Sequence, residues 1–118
     1  KARAYDAARM RDAIERSVAE AGLGNCTVCV HTGLTAAFAG EVGADYLVRG
    51  LRNSLDYGYE ENIAAVNKLL RPALETVYFR ADRAAVSASM VRELRRFGES
   101  ASAYVPPAVL AALDACEK

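Results

Sequence analysis

A chain of 118 residues with 15 basic and 15 acidic side chains, 53% hydrophobic and 25% charged residues, is expected to form one domain, 1–118, whose core closes without disulfides or metals. Zero formal net charge argues against tracking nucleic acid or an anionic membrane, both of which need a cationic excess. No run is apolar enough for a bilayer span or a secretory signal, and three cysteines, Cys26, Cys29 and Cys116, suit free thiols in a reducing compartment, so the expected location is cytoplasmic.

Asp6 to Ala21 carries Met10, Ala13, Ile14 and Val18 between charges, the period of an amphipathic helix with Asp6 as its N-cap. Gly22-Leu23-Gly24 ends it. Cys26-Thr27-Val28-Cys29-Val30 is short and β-branched, which predicts a strand leading to a turn at Thr32-Gly33. A short Ala-rich helix is expected around Leu34 to Val42. Asp45-Tyr46-Leu47-Val48, closed by Arg49-Gly50, predicts a second strand, and a helical pattern then covers Ser54 to Leu70 until Pro72 stops it. Glu75-Thr76-Val77-Tyr78-Phe79 predicts a third strand. Ser87 opens a helix through Phe97 with Gly98 as its C-cap, and Pro106-Pro107 start a last one over Val109 to Cys116. Strands separated by helices imply parallel pairing through right-handed crossovers, hence an α/β open parallel sheet with helices on both faces.

In such a sheet ligands lie beyond the carboxyl ends of the strands. Arg49 and Arg52 bracket Gly50-Leu51 at one such end, where Gly50 lets a ligand approach the backbone and two guanidiniums can hold phosphate oxygens. The plainer alternative is that both arginines cover the surface or cap helix carbonyls. Ser87-Ala88-Ser89 stands before a helix, where unpaired N–H groups and the helix dipole favour a phosphate, although a lone Ser there is ordinarily an N-cap. Asp56 and Glu60 complement the dipole of the next helix; a carboxylate at Glu60 could equally accept from a ribose or order a basic side chain. His31 has no sequence-local partner and reads as a boundary residue rather than an acid–base group. Cys26 and Cys29 have C-x-x-C spacing, but a strand would send them to opposite faces and no second pair completes a zinc site. Arg92, Arg95 and Arg96 read as solvated surface.

Taken together, Val48-Arg49-Gly50-Leu51-Arg52 with Asp56-Tyr57-Gly58-Tyr59-Glu60 resembles the R-G-L-R and D-aromatic-x-Y-E segments of phosphopantetheine adenylyltransferases. Val86-Ser87-Ala88-Ser89-Met90-Val91-Arg92-Glu93 resembles their I-S-S-S-x-V-K/R-E. Phe97-Gly98, Tyr104-Val105-Pro106-Pro107 and Leu34-Thr35-Ala36-Ala37-Phe38-Ala39 are similar to further segments of that family. The resemblance implies a Rossmann-like nucleotidyltransferase fold and transfer of the adenylyl group of ATP to 4′-phosphopantetheine, giving dephospho-coenzyme A and pyrophosphate in coenzyme A biosynthesis. It implies Mg²⁺ with the ATP, coenzyme A as a product-like feedback ligand, and a homo-hexamer.

The same resemblance places Gly50, Leu51, Arg52 and Glu60 at ATP, and Arg83, Ala84, Ala85, Val86, Ser87, Ala88 and Ser89 around its adenine and phosphates. Thr35 and Arg49 would face phosphopantetheine. Lys1 would hold the reacting phosphates and act with Arg52 as a catalytic residue. The family's opening strand with T/S-F-D-P-x-x-x-G-H is absent from these 118 residues, so the expectation is a chain lacking its N-terminal strand and inactive or weak by itself. The loop before Val86 is shorter than the family's and lacks its aromatic, and Ala88 stands where the middle serine would be. Two other readings remain open. One is a non-catalytic nucleotide-binding or protein-interaction module that lost the phosphoryl-transfer motif; the other is a related nucleotidyltransferase acting on nicotinamide mononucleotide.

Overall fold

The structure, a computed structural model, describes residues 6–116. Asp6 Oδ1 accepts a 2.8 Å hydrogen bond from the Arg9 N–H and so starts α1, Ala7–Glu20, as an N-cap does. Beyond it the elements run α2, Thr35–Glu41; β1, Tyr46–Leu51; α3, Ser54–Leu70; β2, Glu75–Arg80; α4, Ala88–Arg96; and α5, Pro107–Cys116. The sequence expectation of an α/β chain with an open parallel sheet holds, and every predicted helix is present within a few residues of its expected bounds.

One expected element is corrected. Cys26–Val30, read as the first strand, is irregular backbone. A strand persists only where its N–H and C=O groups find a neighbouring ladder, and among the described residues β1 and β2 pair only with each other. Cys26 and Cys29 are accordingly exposed free thiols rather than residues on alternate faces of a sheet.

The chain divides into two compact units. In the one that contains α1, α4 and α5, α1 packs on α5, and Ala13, Val91, Ala101 and Ala108 are buried. Arg9 Nη1 donates to Cys116 Sγ at 3.3 Å, and Arg95 Nη2 pairs with Asp114 Oδ1 at 2.8 Å. Gly98 takes φ +77° after α4. It donates to the Arg95 carbonyl while Glu99 N–H reaches the Leu94 carbonyl at 2.8 Å, the pair of bonds that closes a helix through a left-handed glycine. Pro107 opens α5 at a position whose N–H would be unused in any case.

The other unit, residues 31–87, holds the sheet. β1 and β2 run parallel, with Arg49 opposite Tyr78 and Gly50 opposite Phe79. Ala36 and Ala39 of α2 and Leu74 form its buried cluster, with Ala44 and Leu47 against it. Alternation along the strands then sorts the side chains by face. Arg49 and Tyr78 reach α3, whereas Tyr46, Val48, Val77 and Phe79 are exposed.

Candidate functional site

Parallel pairing brings the carboxyl ends of β1 and β2 to the same edge of the sheet, so the loops that follow them leave side by side. The Ala81 N–H donates to the Leu51 carbonyl at 2.8 Å, tying the start of the second loop to the end of β1. That second loop is short and turned. Val86 N–H donates to the Arg83 carbonyl at 3.0 Å, with Ala84 and Ala85 at the turn and Arg83 exposed.

The first loop is Arg52-Asn53, and its geometry is set by the start of α3. Asn53 caps the helix, its side chain accepting from the Asp56 N–H at 2.9 Å. Asp56 reciprocates backwards. Its Oδ2 accepts from the Arg52 N–H at 3.0 Å and from Arg52 Nε at 2.9 Å, and its Oδ1 from Arg52 Nη2 at 3.3 Å. The Arg52 side-chain hydrogen bonds, followed by the one from its backbone, hold the Asp56 carboxyl below its ordinary value. The same contact raises Arg52 further above its already high value.

One turn along α3, Glu60 accepts from Arg49 Nε at 2.8 Å and Nη2 at 2.7 Å. This is a bidentate pair, the strong form of a guanidinium–carboxylate contact. The Glu60 side chain is nearly enclosed at 10% exposure whereas that of Arg49 is half exposed at 53%. Hydrogen bonding from Arg49 lowers the Glu60 carboxyl, against the opposing effect of burial, and the Glu60 hydrogen bond raises Arg49. Glu60 is thus engaged with a basic side chain of β1.

The structure therefore joins Arg49, Arg52, Asp56 and Glu60 around the carboxyl end of β1, with Gly50 and Leu51 as its last strand residues. Gly50 has open space where a Cβ would stand. Each guanidinium carries more N–H donors than a single carboxylate accepts, so both arginines keep donors for phosphate oxygens while their positions are fixed. Thr35 is exposed in the first turn of α2 and takes no part in these ion pairs. Ser87 is the last residue of this unit, and Ala88 and Ser89 begin α4 in the other. Lys1 lies outside the described residues. His31 stacks on Phe38 with ring centroids 4.4 Å apart, a packing role.

Sequence reading missed two parts of this arrangement. Arg52 and Asp56 stand four apart at the start of a helix, a local signal for an ion pair that the spacing alone could have supplied. Tyr78, whose hydroxyl donates to Glu61 Oε1 at 3.1 Å, gave no such signal. Its partner lies seventeen residues away.

No protein-family model matches the chain. Its sequence is similar to proteins named phosphopantetheine adenylyltransferase. One from Limosilactobacillus reuteri is 42% identical over 97 residues, 80% of this chain and 56% of that protein. Another from Latilactobacillus sakei is 49% identical over 83 residues, 69% of this chain and 50% of that protein. A third from Lactiplantibacillus plantarum is 46% identical over 90 residues, 75% of this chain and 55% of that protein. The family likeness expected from the motifs is thus shown over most of the chain, and the chain spans about half the length of these relatives.

Proposed function

Starting from that likeness to phosphopantetheine adenylyltransferases, we propose that the chain is the substrate-holding part of such an enzyme, which transfers the adenylyl group of ATP to 4′-phosphopantetheine. The supporting observation is that Arg49 and Arg52 stand together at the carboxyl end of β1, each oriented by a carboxylate of α3. Adenylyl transfer suits such a frame. An oxygen of the acceptor phosphate attacks the α-phosphorus of ATP, the bond to the β-phosphate oxygen breaks, and pyrophosphate leaves. The protein's task is to hold two polyanions in line and to place positive charge where negative charge builds up.

In this reading Arg52 and the Gly50-Leu51 backbone lie along the ATP phosphates. Glu60 fixes Arg49, which takes the phosphate of phosphopantetheine together with Thr35. The turn at Arg83, Ala84 and Ala85, with Val86 and Ser87, borders the nucleotide. Ala88 and Ser89 are assigned to the ATP, and Lys1 to the reacting phosphates, by the resemblance alone. The homo-hexamer and coenzyme A as feedback ligand rest on the same resemblance, and a cytoplasmic location rests on the free thiols and the sequence pattern.

Mg²⁺ is expected with ATP, but the residues at the arginine site do not fit a protein-held ion. Asp56 and Glu60 are both engaged by guanidiniums, and among the described residues no group of three His, Cys, Asp or Glu side chains is placed to hold a metal. No step is therefore assigned to the ion on this chain's ligands.

Pyrophosphate release from ATP with 4′-phosphopantetheine, measured on a protein of the relatives' full length, tests the reaction. Titration of the 118-residue chain with ATP and with coenzyme A tests the site. Binding with turnover in the longer form supports the enzyme. Binding without turnover in either form favours the non-catalytic module, and preference for nicotinamide nucleotides over coenzyme A favours the related nucleotidyltransferase.

A further inference from the structure

Among the described residues three polar side-chain contacts join α3 to the sheet, Arg49–Glu60, Tyr78–Glu61 and Lys68–Glu75, and only the first belongs to the arginine site. Arg49 on β1 and Tyr78 on β2 are register partners across the parallel pair. Arg49 reaches Glu60, and Tyr78 reaches the next residue of the helix, Glu61, through a 3.1 Å hydrogen bond. The Tyr78 ring also meets Tyr57 edge-on, with centroids 5.7 Å apart and planes at 64°, an attractive arrangement of two aromatic quadrupoles. Tyr57 and Glu61 are four residues apart and so lie on one face of α3. Tyr78 therefore touches that face at two successive turns.

We propose that Tyr78 is a positioning residue of the phosphate site, setting the rotation and depth of α3 through Tyr57 and Glu61 and thereby holding the Glu60 carboxylate in bidentate register with Arg49. A bidentate guanidinium pair tolerates little rotation, because both parallel N–H···O bonds must stay aligned. Successive helix residues diverge by about 100°, so Glu60 and Glu61 straddle the line of contact with the sheet. A slip of α3 that lengthens the Tyr78 bond turns Glu60 away from Arg49. Burial and the Glu61 contact raise the Tyr78 hydroxyl above its ordinary value, which keeps it a donor at neutral pH. The functional consequence of this positioning rests on the phosphate-holding role proposed for Arg49.

The experiment reads the Arg49 Nε–H directly, by NMR exchange with water in the 118-residue chain, the signal being assigned by its loss in Arg49→Lys. Tyr78→Phe keeps the ring against Tyr57 and removes only the hydroxyl. It is expected to speed Arg49 Nε–H exchange about fivefold, the factor that one net hydrogen bond supplies. Glu61→Gln, which retains an acceptor oxygen, is expected to stay within about twofold of the parent. Should Tyr78→Phe fail to fold by circular dichroism, Glu61→Ala carries the same expectation as Tyr78→Phe. Unchanged exchange in folded Tyr78→Phe or Glu61→Ala overturns the positioning role. ATP titration of the same proteins separates the two ideas. Weaker ATP binding in parallel with faster exchange supports both, whereas faster exchange in a chain whose parent form binds no ATP leaves the positioning intact and removes the phosphate site.

Discussion

Arg49 and Glu60, eleven residues apart, close a bidentate ion pair at 2.7 and 2.8 Å in which the acid is the enclosed partner, 8% exposed overall. The asymmetry sets how the base is presented. A half-exposed guanidinium held from behind by a buried carboxylate presents its remaining donors outward at a fixed angle.

Glu60→Ala removes that support, and the expected cost is about 1–2 kcal/mol of folding stability. A buried charge-assisted pair lies at the upper end of such values, while the exposed side of Arg49 recovers part of the loss by solvation. Urea unfolding of the two proteins measures it.

Acid dissolves both carboxylate contacts, with a sign that follows from the folded-state shifts. Glu60 and Asp56 are held below their ordinary values of 4.5 and 3.8 by their arginine partners. Their contribution is therefore complete above those values and is lost as pH falls through the lowered folded ones. The thermal midpoint is expected to be insensitive to these two groups from about pH 7 to about pH 5 and to decline below that. In Glu60→Gln the decline is expected to be shallower. A pH series of melting curves for the two proteins checks this.

Arg52→Ala is expected to weaken ATP binding roughly tenfold or more, the usual loss for a charged hydrogen-bond donor on phosphate, with little change in stability because its pair with Asp56 is exposed on the Arg52 side. Calorimetric titration decides it. Affinity unchanged within error removes the arginine loop from the nucleotide site.

Asn53→Ala takes the cap from α3 and is expected to cost about 1 kcal/mol, the customary loss for an N-cap amide. Because Asn53 orients the same turn that carries Asp56, ATP affinity is expected to fall with it. Urea unfolding and ATP titration of one variant report both effects.

Two glycines are expected to behave differently on replacement by alanine. Gly98 lies at φ +77° with no atom within 4 Å of an added Cβ, so Gly98→Ala suffers only backbone strain and loses about 1 kcal/mol. At Gly40 an added Cβ would meet Arg71 Nη1 at 2.5 Å. The obstacle is the tip of a flexible side chain that can swing away, and the helix gains from alanine. Gly40→Ala is expected to remain within about 1 kcal/mol of the parent. Denaturation of both variants makes the comparison.

Local rules were enough for much of this protein. α3 runs over Ser54–Leu70, the span its apolar period and the following Pro72 indicate, and the caps at Asp6 and Gly98 stand where short-range chemistry puts them. The Arg52–Asp56 pair was equally local, four residues apart on a helix start. Strands depend on something else. Tyr46–Leu51 and Glu75–Arg80 became a ladder because each found the other, whereas Cys26–Val30, as β-branched as either, found no neighbour among the described residues and stayed irregular. The site divides in the same way. Composition at the end of β1 named two arginines, but that Arg49 is locked to Glu60 and that Tyr78 braces Glu61 depended on parallel register and on where α3 lies across it. Contacts over eleven and seventeen residues arise only once the backbone has closed those loops, and no periodicity in the chain encodes them.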